Sequence, residues 1–259
     1  MRTIVLCNQK GGVAKSTTAA TLAAGLYMRG KRVLMIDTDP QSNLSFMYGV
    51  DLLELPHTLY NVFRGECTLQ DAIQPVKIGM DIITGGLDLT AADSEFSGKL
   101  GRERMLSEAL EPAQTDYDFC IIDTNPSLGV LTMNALTAAD YVIIPMQADA
   151  LSLQGAAQLR GFIGNVQKYC NPTLKVAGIL LTMYNPRAVL SRGLEDAIRQ
   201  AAVNMESIVF NTRIRRTQEV SNAIALQKDI FSNAPESTAT LDYEAWIDEL
   251  LTTYSELDA

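Results

Sequence analysis

Short apolar runs alternate with longer amphipathic stretches from one end of the chain to the other. Several runs are continuous, among them Ile4-Val5-Leu6 and Val33-Leu34-Met35-Ile36, and such runs are typical of strands buried on both faces. The runs predict strands at Thr3–Cys7, Arg32–Ile36, Met80–Thr84, Phe119–Ile122, Tyr141–Pro145, Lys175–Leu181 and Ser207–Phe210. The amphipathic stretches predict helices at Ser16–Arg29, Thr58–Phe63, Gly101–Leu110, Val130–Ala138, Leu151–Tyr169, Arg192–Asn204, Gln218–Gln227 and Ala239–Leu257.

The alternation of strands and helices predicts the fold class. It indicates an α/β protein with a doubly wound, mainly parallel sheet and helices on both faces, in which ligands bind at the carboxyl ends of the strands. The least regular part is Gln41–Asp81, which contains Pro56 and Pro75. Because the sequence shows no internal repeat and no linker-like segment, we expect a single domain over residues 1–259.

Composition narrows the class of protein. The chain has 259 residues, and 47% of them are hydrophobic, a share too high for a disordered protein. A run of about 18 apolar residues, as a transmembrane helix requires, is absent from the sequence. The first residues lead directly into a predicted strand without a signal-peptide pattern. The cysteines lack CxxC spacing, which predicts reduced thiols and a cytoplasmic location; they are Cys7, Cys67, Cys120 and Cys170.

The formal net charge of −9 is unevenly distributed along the chain. The segment Phe231–Ala259 contains seven acidic residues and no Lys or Arg, so residues 1–230 have a net charge of only −2. Between Asn171 and Ile230, eight basic residues stand against five acidic ones. The overall charge therefore neither supports nor excludes nucleic-acid binding.

A phosphate-binding loop is the strongest chemical signal. The sequence Asn8-Gln9-Lys10-Gly11-Gly12-Val13-Ala14-Lys15-Ser16-Thr17 lies between the first predicted strand and the first predicted helix. In such a turn, backbone N–H groups and the positive end of the helix point at an anion. Lys15 would reach the β- and γ-phosphates, and the Ser16 hydroxyl would bind Mg²⁺. Gln9 and Ala14 occupy the two glycine positions of the strict pattern G-x-x-x-x-G-K-S/T, so the loop departs from that consensus.

Two aspartate segments follow predicted strands. Asp37-Thr38-Asp39-Pro40 ends the second strand, and Asp123-Thr124-Asn125-Pro126 ends the strand Phe119–Ile122. Carboxylates at these strand ends are placed to bind Mg²⁺ or its water ligands, or to position an attacking water. An Asp at the end of a strand can also serve only to form a turn. Two such segments beside a phosphate loop favour the catalytic interpretation.

Four segments resemble motifs of the ParA/Soj/MinD ATPases. Lys10–Thr17 resembles their deviant Walker A motif, K-G-G-x-x-K-S/T, and Asp37–Asn43 resembles D-x-D-P-Q-x-N. Asp118–Gly129 resembles D-Y-x-x-I-D-T-P-P-S-L-G, and Gly178–Arg187 is similar to G-V-L-L-T-M-Y-D-x-R. The matches span most of the chain. They imply a fold of the P-loop NTPase type with ATP and Mg²⁺ as cofactors.

The resemblance implies roles for individual residues. Lys10 and Lys15 match the two lysines of the loop, and Lys10 would reach across a nucleotide-sandwich dimer to stabilise charge on the partner's phosphates. Asp39 matches the residue that positions the attacking water. Ser16 and, through water, Asp123 match the Mg²⁺ ligands. The implied nucleotide-binding residues are Lys10, Gly11, Gly12, Val13, Ala14, Lys15, Ser16 and Thr17, together with Met183 and Ile214 around the adenine.

Two residues of the nucleotide site depart from the family pattern. Ala14 stands where many relatives have Gly, so the loop must accommodate a Cβ at this position. Asn125 replaces a Pro in the segment that follows Asp123. Both departures are expected to slow turnover without abolishing nucleotide binding.

The resemblance also implies DNA binding without sequence preference, through basic residues in the C-terminal part of the chain. Such side chains contact phosphates, so binding would depend on salt. Glu219 stands where a basic residue is often found, whereas Arg215 adds a positive charge. Any one of these arginines could instead lie on a solvated surface. The predicted DNA-binding residues are Arg187, Arg192, Arg213, Arg215 and Arg216.

Other functions of related ATPases fit the sequence less well. The C-terminal amphipathic stretch is acidic, whereas attachment to anionic lipids requires a basic helix, so we expect its apolar stripe to pack on the domain and expect no membrane partner. An iron–sulfur cluster between subunits requires cysteine ligands. Cys120 lies in a predicted buried strand without a matching second cysteine, so a cluster is not expected. His57 is the only histidine and is expected to be structural.

The function implied by the resemblance is that of a ParA-type ATPase. It would form an ATP-dependent homodimer on nucleoid DNA and partition plasmid or chromosome DNA with a ParB-like partner that stimulates slow hydrolysis. Two alternatives remain open. One is a nucleotide-gated interaction switch with little hydrolysis, and the other is a positioning ATPase for a protein cargo.

Overall fold

The computed structural model of the chain describes residues 1–52, 55–77, 79–186 and 192–257. Within these residues eight strands form one sheet. They are β1 (Arg2–Leu6), β2 (Val33–Asp37), β3 (Ile73–Lys77), β4 (Met80–Ile83), β5 (Phe119–Asp123), β6 (Tyr141–Met146), β7 (Lys175–Tyr184) and β8 (Val209–Arg215).

Helices connect the strands and follow the last of them. In the described ranges they are α1 (Lys15–Met28), α2 (Asn43–Met47), α3 (Leu59–Arg64), α4 (Leu69–Ala72), α5 (Ala92–Glu95), α6 (Met105–Leu110), α7 (Val130–Ala138), α8 (Ala150–Tyr169), α9 (Arg192–Val203), α10 (Gln218–Ala225), α11 (Ile230–Asn233) and α12 (Thr238–Thr253). Short 3₁₀ turns lie at Leu87–Ala91, Glu111–Ala113 and Ser255–Leu257.

The strand order places the carboxyl ends of three strands together. The order is β3-β4-β2-β5-β1-β6-β7-β8, and every neighbouring pair is parallel except β3 and β4. Asp123 at the end of β5 is in register with Leu6 of β1 on one side and with Asp37 of β2 on the other. The phosphate loop therefore begins beside both aspartate segments, at the point where the strand order reverses.

Two cores lie on opposite faces of the sheet. Ile4 and Leu6 contribute to the core under α1 and α12, whereas Val5 lies in the core under α6, α7 and α8. The contact between α1 and α12 is close because Gly25 leaves no side chain in the way; a Cβ there would lie 2.3 Å from Ile247 Cδ1. The predicted doubly wound α/β sheet with helices on both faces is confirmed.

The acidic helix α12 covers the edge strand β8. The Glu249 carboxylate accepts hydrogen bonds from the backbone N–H groups of Asn211 and Thr212 at 2.7 and 2.9 Å. Asp242 accepts a third from the N–H of Arg215 at 2.9 Å. An edge strand with open N–H groups can pair with another chain, and carboxylates that occupy those groups prevent this. Two acidic side chains of the C-terminal segment therefore protect the edge strand β8.

The prediction that the apolar stripe of this segment packs on the domain is confirmed. Trp246 is fully buried and meets Phe210 of β8 edge-to-face at 6.0 Å between ring centroids. The Tyr243 hydroxyl lies 3.1 Å from Thr18 Oγ1 of α1. No helix in the described part of the chain is long and apolar enough to cross a membrane.

The structure differs from the predicted elements at the sheet edges and in four short helices that were not predicted, α2, α4, α5 and α11. The strand β3 was not predicted because Pro75 interrupts it, and an edge strand tolerates a proline that a central strand would not. The strand β8 was predicted at Ser207–Phe210, but it spans Val209–Arg215. Its second half was not predicted because most of its residues are polar. The helix predicted from Gly101 begins at Met105 instead. The central strands β1, β2, β5 and β6 lie within one residue of the predicted ends, whereas β7 runs three residues past its predicted end at Leu181.

The cysteines are free thiols, as the sequence predicted. Cys7 and Cys120 are buried in the sheet, and Cys67 and Cys170 are half-buried. Burial raises the pKa of Cys7 to about 11, so this thiol beside the phosphate loop stays protonated at neutral pH.

Candidate nucleotide-binding site

The phosphate loop joins β1 to α1 through two residues in the left-handed backbone region. Gly12 has φ +72° and Ala14 has φ +62°. Glycine adopts this conformation without strain, whereas a residue with a Cβ destabilises it by about 1–2 kcal/mol. Ala14, the departure noted in the sequence, therefore stands at a position that favours glycine. The helix α1 begins at the next residue, Lys15.

Two carbonyl groups of the loop accept hydrogen bonds from side chains. Thr182 Oγ1 at the end of β7 donates to the Val13 carbonyl at 3.0 Å. Lys15 is buried, and its Nζ donates to the Lys10 carbonyl at 3.4 Å. Because the C=O and N–H groups of a planar trans peptide point in opposite directions, the Val13 carbonyl that is held towards Thr182 leaves the Ala14 N–H facing the other way. This arrangement suits an anion at the start of α1.

The second loop lysine is held by an acidic residue of the same chain. Lys10 Nζ lies 2.6 Å from Asp149 Oδ2 and 3.2 Å from Ser152 Oγ. Asp149 is also the N-cap of α8, where its Oδ1 accepts from the Ser152 N–H at 2.8 Å. The side chains of Lys10 and Asp149 are 28% and 38% exposed, so the pair lies at the rim of the site.

The two strand-end aspartates have different surroundings. Asp37 is buried and fully hydrogen-bonded: it accepts from the Asp39 N–H at 3.1 Å and from the N–H and hydroxyl of Ser45 at 2.9 and 2.8 Å. Asp123 is equally buried, but neither of its carboxylate oxygens has a hydrogen-bond partner among the described residues. Asp37 therefore fixes the turn into α2, whereas Asp123 has two oxygens available for a ligand.

The electrostatics of this pair favour a cation. Burial raises the pKa of Asp123 well above its usual range, and neighbouring Asp37 raises it further; the Ser16 hydroxyl and Lys15 oppose the rise. Burial likewise raises the pKa of Asp37 to about 6, although the Ser45 and Asp39 donors lower it. A divalent cation next to Asp123 would stabilise the ionised carboxylate.

The donor set fits Mg²⁺ that binds together with a nucleotide. Among the described residues, no group of three or more His, Cys, Asp or Glu side chains could hold a metal by itself. Mg²⁺ in nucleotide sites commonly takes one or two carboxylates and completes its shell with phosphates and water. Ser16 and Asp123, with its unpartnered oxygens, supply this kind of incomplete site.

Asp39 lies beside Asp37 in the turn that follows β2. It is 8% exposed, and its Oδ1 accepts from the Gln41 N–H at 2.9 Å. Gly85, in the segment after β4, packs directly against this turn: a Cβ there would lie 2.6 Å from the Asp39 carbonyl oxygen. The second Asp39 oxygen remains available to orient a water molecule.

Met183 and Ile214, which the resemblance assigns to the adenine, lie beside the phosphate loop. Both line a cavity of about 140 Å³ that also includes Ala14, Thr17 and Tyr243. Ile214 is buried, whereas Met183 is 40% exposed and has φ +50°. The cavity is bounded mainly by apolar and hydroxyl groups, as a nucleobase pocket requires.

Two of the predicted DNA-binding arginines have carboxylate partners. Arg213 donates to Glu195 at 2.7 Å and to the Tyr184 hydroxyl at 2.9 Å. Arg215 forms a two-bonded pair with Asp242, at 2.9 Å from Nε and 2.6 Å from an outer nitrogen. Both positive charges are therefore largely neutralised within the chain.

The other three predicted DNA-binding arginines differ in their position. Arg216 is exposed and lies at the rim of the Met183 cavity. Arg192 is the first residue of α9. Arg187 lies outside the described residues. Of the five arginines, the structure therefore describes the side chains of Arg213, Arg215 and Arg216.

The segment after Asp123 is held from two sides. The buried Thr132 hydroxyl lies 2.5 Å from the Ser127 carbonyl oxygen and 3.2 Å from Asn125 Oδ1. On the other side, Asp93 Oδ1 accepts from the Val130 N–H at 2.6 Å. Since Gly129 caps α7 without a side chain, the Asp93 carboxylate takes the place of an N-cap.

Sequence reasoning missed several residues that shape the site. Asp149 has a local signal, because an Asp directly before the first residue of a helix is a preferred N-cap. Thr182 lies inside a segment that the resemblance matched, but its bond to the phosphate loop depends on the sheet order. Gly85 and Asp93 have no signal in the sequence, since their partners lie 37 or more residues away.

Known proteins resemble this chain over nearly all of its length. A family profile described as an AAA domain matches residues 1–176. The sporulation initiation inhibitor protein Soj of Bacillus subtilis is 37% identical over 235 residues, which cover 90% of this chain and 92% of Soj. The chromosome partitioning protein ParA of Caulobacter vibrioides is 37% identical over 233 residues, which cover 89% of this chain and 86% of ParA.

A solved structure has a fold similar to that of this chain over almost its whole length. The crystal structure of cobyrinic acid a,c-diamide synthase from Mycobacterium smegmatis with bound ADP and magnesium has a TM-score of 0.84 and 35% sequence identity, covering 98% of this chain and 95% of that one. One conclusion follows from the loop with two lysines, the strand-end aspartates, the sheet order and these relatives. The chain belongs to the ParA/Soj family of P-loop ATPases.

Proposed function

We propose that this protein is a ParA-type ATPase that partitions plasmid or chromosome DNA. It binds ATP and Mg²⁺, forms an ATP-dependent sandwich dimer that binds DNA without sequence preference, and hydrolyses ATP slowly until a ParB-like adaptor stimulates it. The observation that carries the proposal is the second lysine of the loop. Lys15 is buried within the loop, whereas Lys10 lies partly exposed at its rim, where it can reach a second copy.

The residues of the site divide the work of phosphoryl transfer. The N–H groups of the loop and Lys15 bind the phosphates, and Met183 and Ile214 contact the base. Ser16 and, through water, Asp123 hold Mg²⁺, which neutralises charge on the phosphates when it is bound. Asp39 orients the attacking water, and Lys10 of the opposite protomer stabilises the charge that develops on the transferring phosphoryl group.

The cycle is a shift between two populations. A γ-phosphate offers Lys10 a partner across the dimer interface that ADP does not offer, so ATP favours the dimer. Within one chain, Lys10 is bound to Asp149 instead. Hydrolysis removes the contact across the interface and returns the protein to the state with lower affinity for DNA.

Sedimentation of the full chain with ADP, with no nucleotide, or with Mg²⁺ and a slowly hydrolysed ATP analogue tests the proposal. We expect the analogue alone to shift the protein towards a dimer, and we expect Lys15→Ala to prevent both binding of the analogue and the shift. A native chain that binds the analogue without any change in mass would contradict the sandwich dimer.

A nucleotide-gated interaction switch is the second candidate, and a specific observation favours it. Arg213 and Arg215 are paired with Glu195 and Asp242, which reduces the positive charge available to DNA phosphates. The left-handed Ala14 also strains the loop. Phosphate release in the presence of DNA and a candidate adaptor separates the two functions: a partition ATPase is stimulated, and a switch is not.

A further inference from the structure

Gln147 joins the two halves of the nucleotide site. It directly follows β6, and its Nε2 lies 2.9 Å from the Gly12 carbonyl oxygen and 3.0 Å from Met183 Sδ. The carbonyl oxygen and the thioether sulfur are both acceptors, so the amide nitrogen, which has two hydrogens, must face them. One side chain thus contacts the phosphate loop and the predicted base pocket at the same time.

Both contacts fall on residues with unusual backbone conformation. Gly12 has φ +72° and Met183 has φ +50°. A left-handed methionine is strained and persists only where its surroundings hold it. The neighbouring Thr182 donates to the Val13 carbonyl at 3.0 Å, so the same two segments are joined a second time, one residue later in the phosphate loop and one residue earlier in β7.

We propose that Gln147 is a positioning residue that couples the base pocket to the phosphate loop; this inference rests on the proposed binding of ATP. A base that packs on Met183 fixes the sulfur that Gln147 contacts. Gln147 in turn fixes the Gly12 carbonyl, and that planar peptide sets the direction of the Val13 N–H towards the phosphates. The binding free energy of a ligand with both base and phosphates is consequently more favourable than the sum of the separate contributions of its base and its phosphates.

The test removes the two donors and keeps the side chain. Gln147→Met has nearly the same length and can still pack against Met183, but it donates no hydrogen bond. Gln158→Met is the matched control, because Gln158 is exposed on α8. The dissociation constants of ATP and of inorganic tripolyphosphate, which has no base, are measured by calorimetry for each variant of the full chain.

We expect Gln147→Met to weaken ATP binding about 3- to 10-fold, because the lost bond to the Gly12 carbonyl has this usual net contribution and the bond to the weakly accepting Met183 sulfur adds little. Tripolyphosphate should lose less affinity, since only the Gly12 contact matters to it. Met183→Leu should weaken ATP binding in the native chain but should add little to Gln147→Met, because both substitutions remove the same connection. Gln158→Met should bind both ligands like the native chain.

Three results would overturn the inference. They are ATP binding by Gln147→Met within about twofold of the native value, equal losses for ATP and tripolyphosphate, and effects of Gln147→Met and Met183→Leu that simply add. A melting temperature lowered by Gln147→Met but not by Gln158→Met, with all losses equal, would indicate a purely structural role. A native chain that binds no ATP would instead reject the proposed function.

Discussion

Asp149→Asn tests whether the Lys10–Asp149 ion pair restrains dimerisation. Asp149 pairs with Lys10 Nζ at 2.6 Å through Oδ2 and caps α8 through Oδ1, which accepts from the Ser152 N–H at 2.8 Å. Asn caps helices as well as Asp does. The substitution therefore removes the charge that holds Lys10 and leaves the start of α8 intact.

The size of the effect follows from the exposure of the pair. The two side chains are 28% and 38% exposed, so solvent screens their attraction, and a pair of this kind contributes about 0.2–1 kcal/mol. A symmetric dimer must release Lys10 in both protomers, which doubles the contribution. We therefore expect Asp149→Asn to tighten ATP-dependent dimerisation about 2- to 30-fold.

Sedimentation equilibrium with Mg²⁺ and a slowly hydrolysed ATP analogue measures the dimer dissociation constant. Since the chain has a net charge of −9, loss of any acidic residue weakens the repulsion between protomers. Glu111→Gln, at an exposed site away from Lys10, is the control for this general effect. If Asp149→Asn dimerises no more tightly than Glu111→Gln, the ion pair does not restrain Lys10.

Three further substitutions test the metal ligand, the water-positioning residue and the strained loop. Burial raises the pKa of Asp123 in the folded protein. This shift stabilises the fold at pH values below the unfolded pKa of the carboxyl group, about 3.9, and the stabilisation is lost as the pH rises through the folded pKa. Asp123→Asn should therefore raise the melting temperature of the nucleotide-free chain at pH 7 and abolish the Mg²⁺ dependence of nucleotide binding; a lower melting temperature would contradict this. Asp39→Ala should bind ATP and trap the dimer, and normal phosphate release by this variant would refute the assigned role. Ala14→Gly, which relieves a left-handed alanine, should raise the melting temperature by about 2–4 °C. Ala157→Gly, at an exposed position of α8, should lower it. A lower melting temperature for Ala14→Gly would show that the loop is not strained.

The central sheet and the phosphate loop could be predicted because their signals are local. A continuous apolar run such as Val33–Ile36 indicates a strand buried on both faces wherever it lies in the chain. The segment Lys10–Thr17 combines a glycine pair, two lysines and a hydroxyl pair between a strand and a helix. Neither signal depends on knowing which strands are neighbours.

The remaining features depend on contacts between distant residues. The bond between Lys10 and Asp149 connects positions 139 residues apart. The pairing of Arg215 with Asp242 could not be foreseen either, because it requires α12 to lie along β8. For the same reason the sequence counted Arg215 as a free positive charge and the acidic helix as an isolated segment. The resemblance assigned roles at the nucleotide site but did not reveal what holds the side chains there.

DNA binding by the full chain with ATP, with ADP and without nucleotide, each at about 50 and 200 mM salt, tests the central claim most directly. We expect binding only with ATP and a marked loss at the higher salt, since the contacts go to phosphates. Arg187→Glu combined with Arg216→Glu should weaken binding while the ATP-dependent dimer persists. Absence of DNA binding under every condition, in a chain that still binds ATP and dimerises, would contradict the partition function and favour the interaction switch.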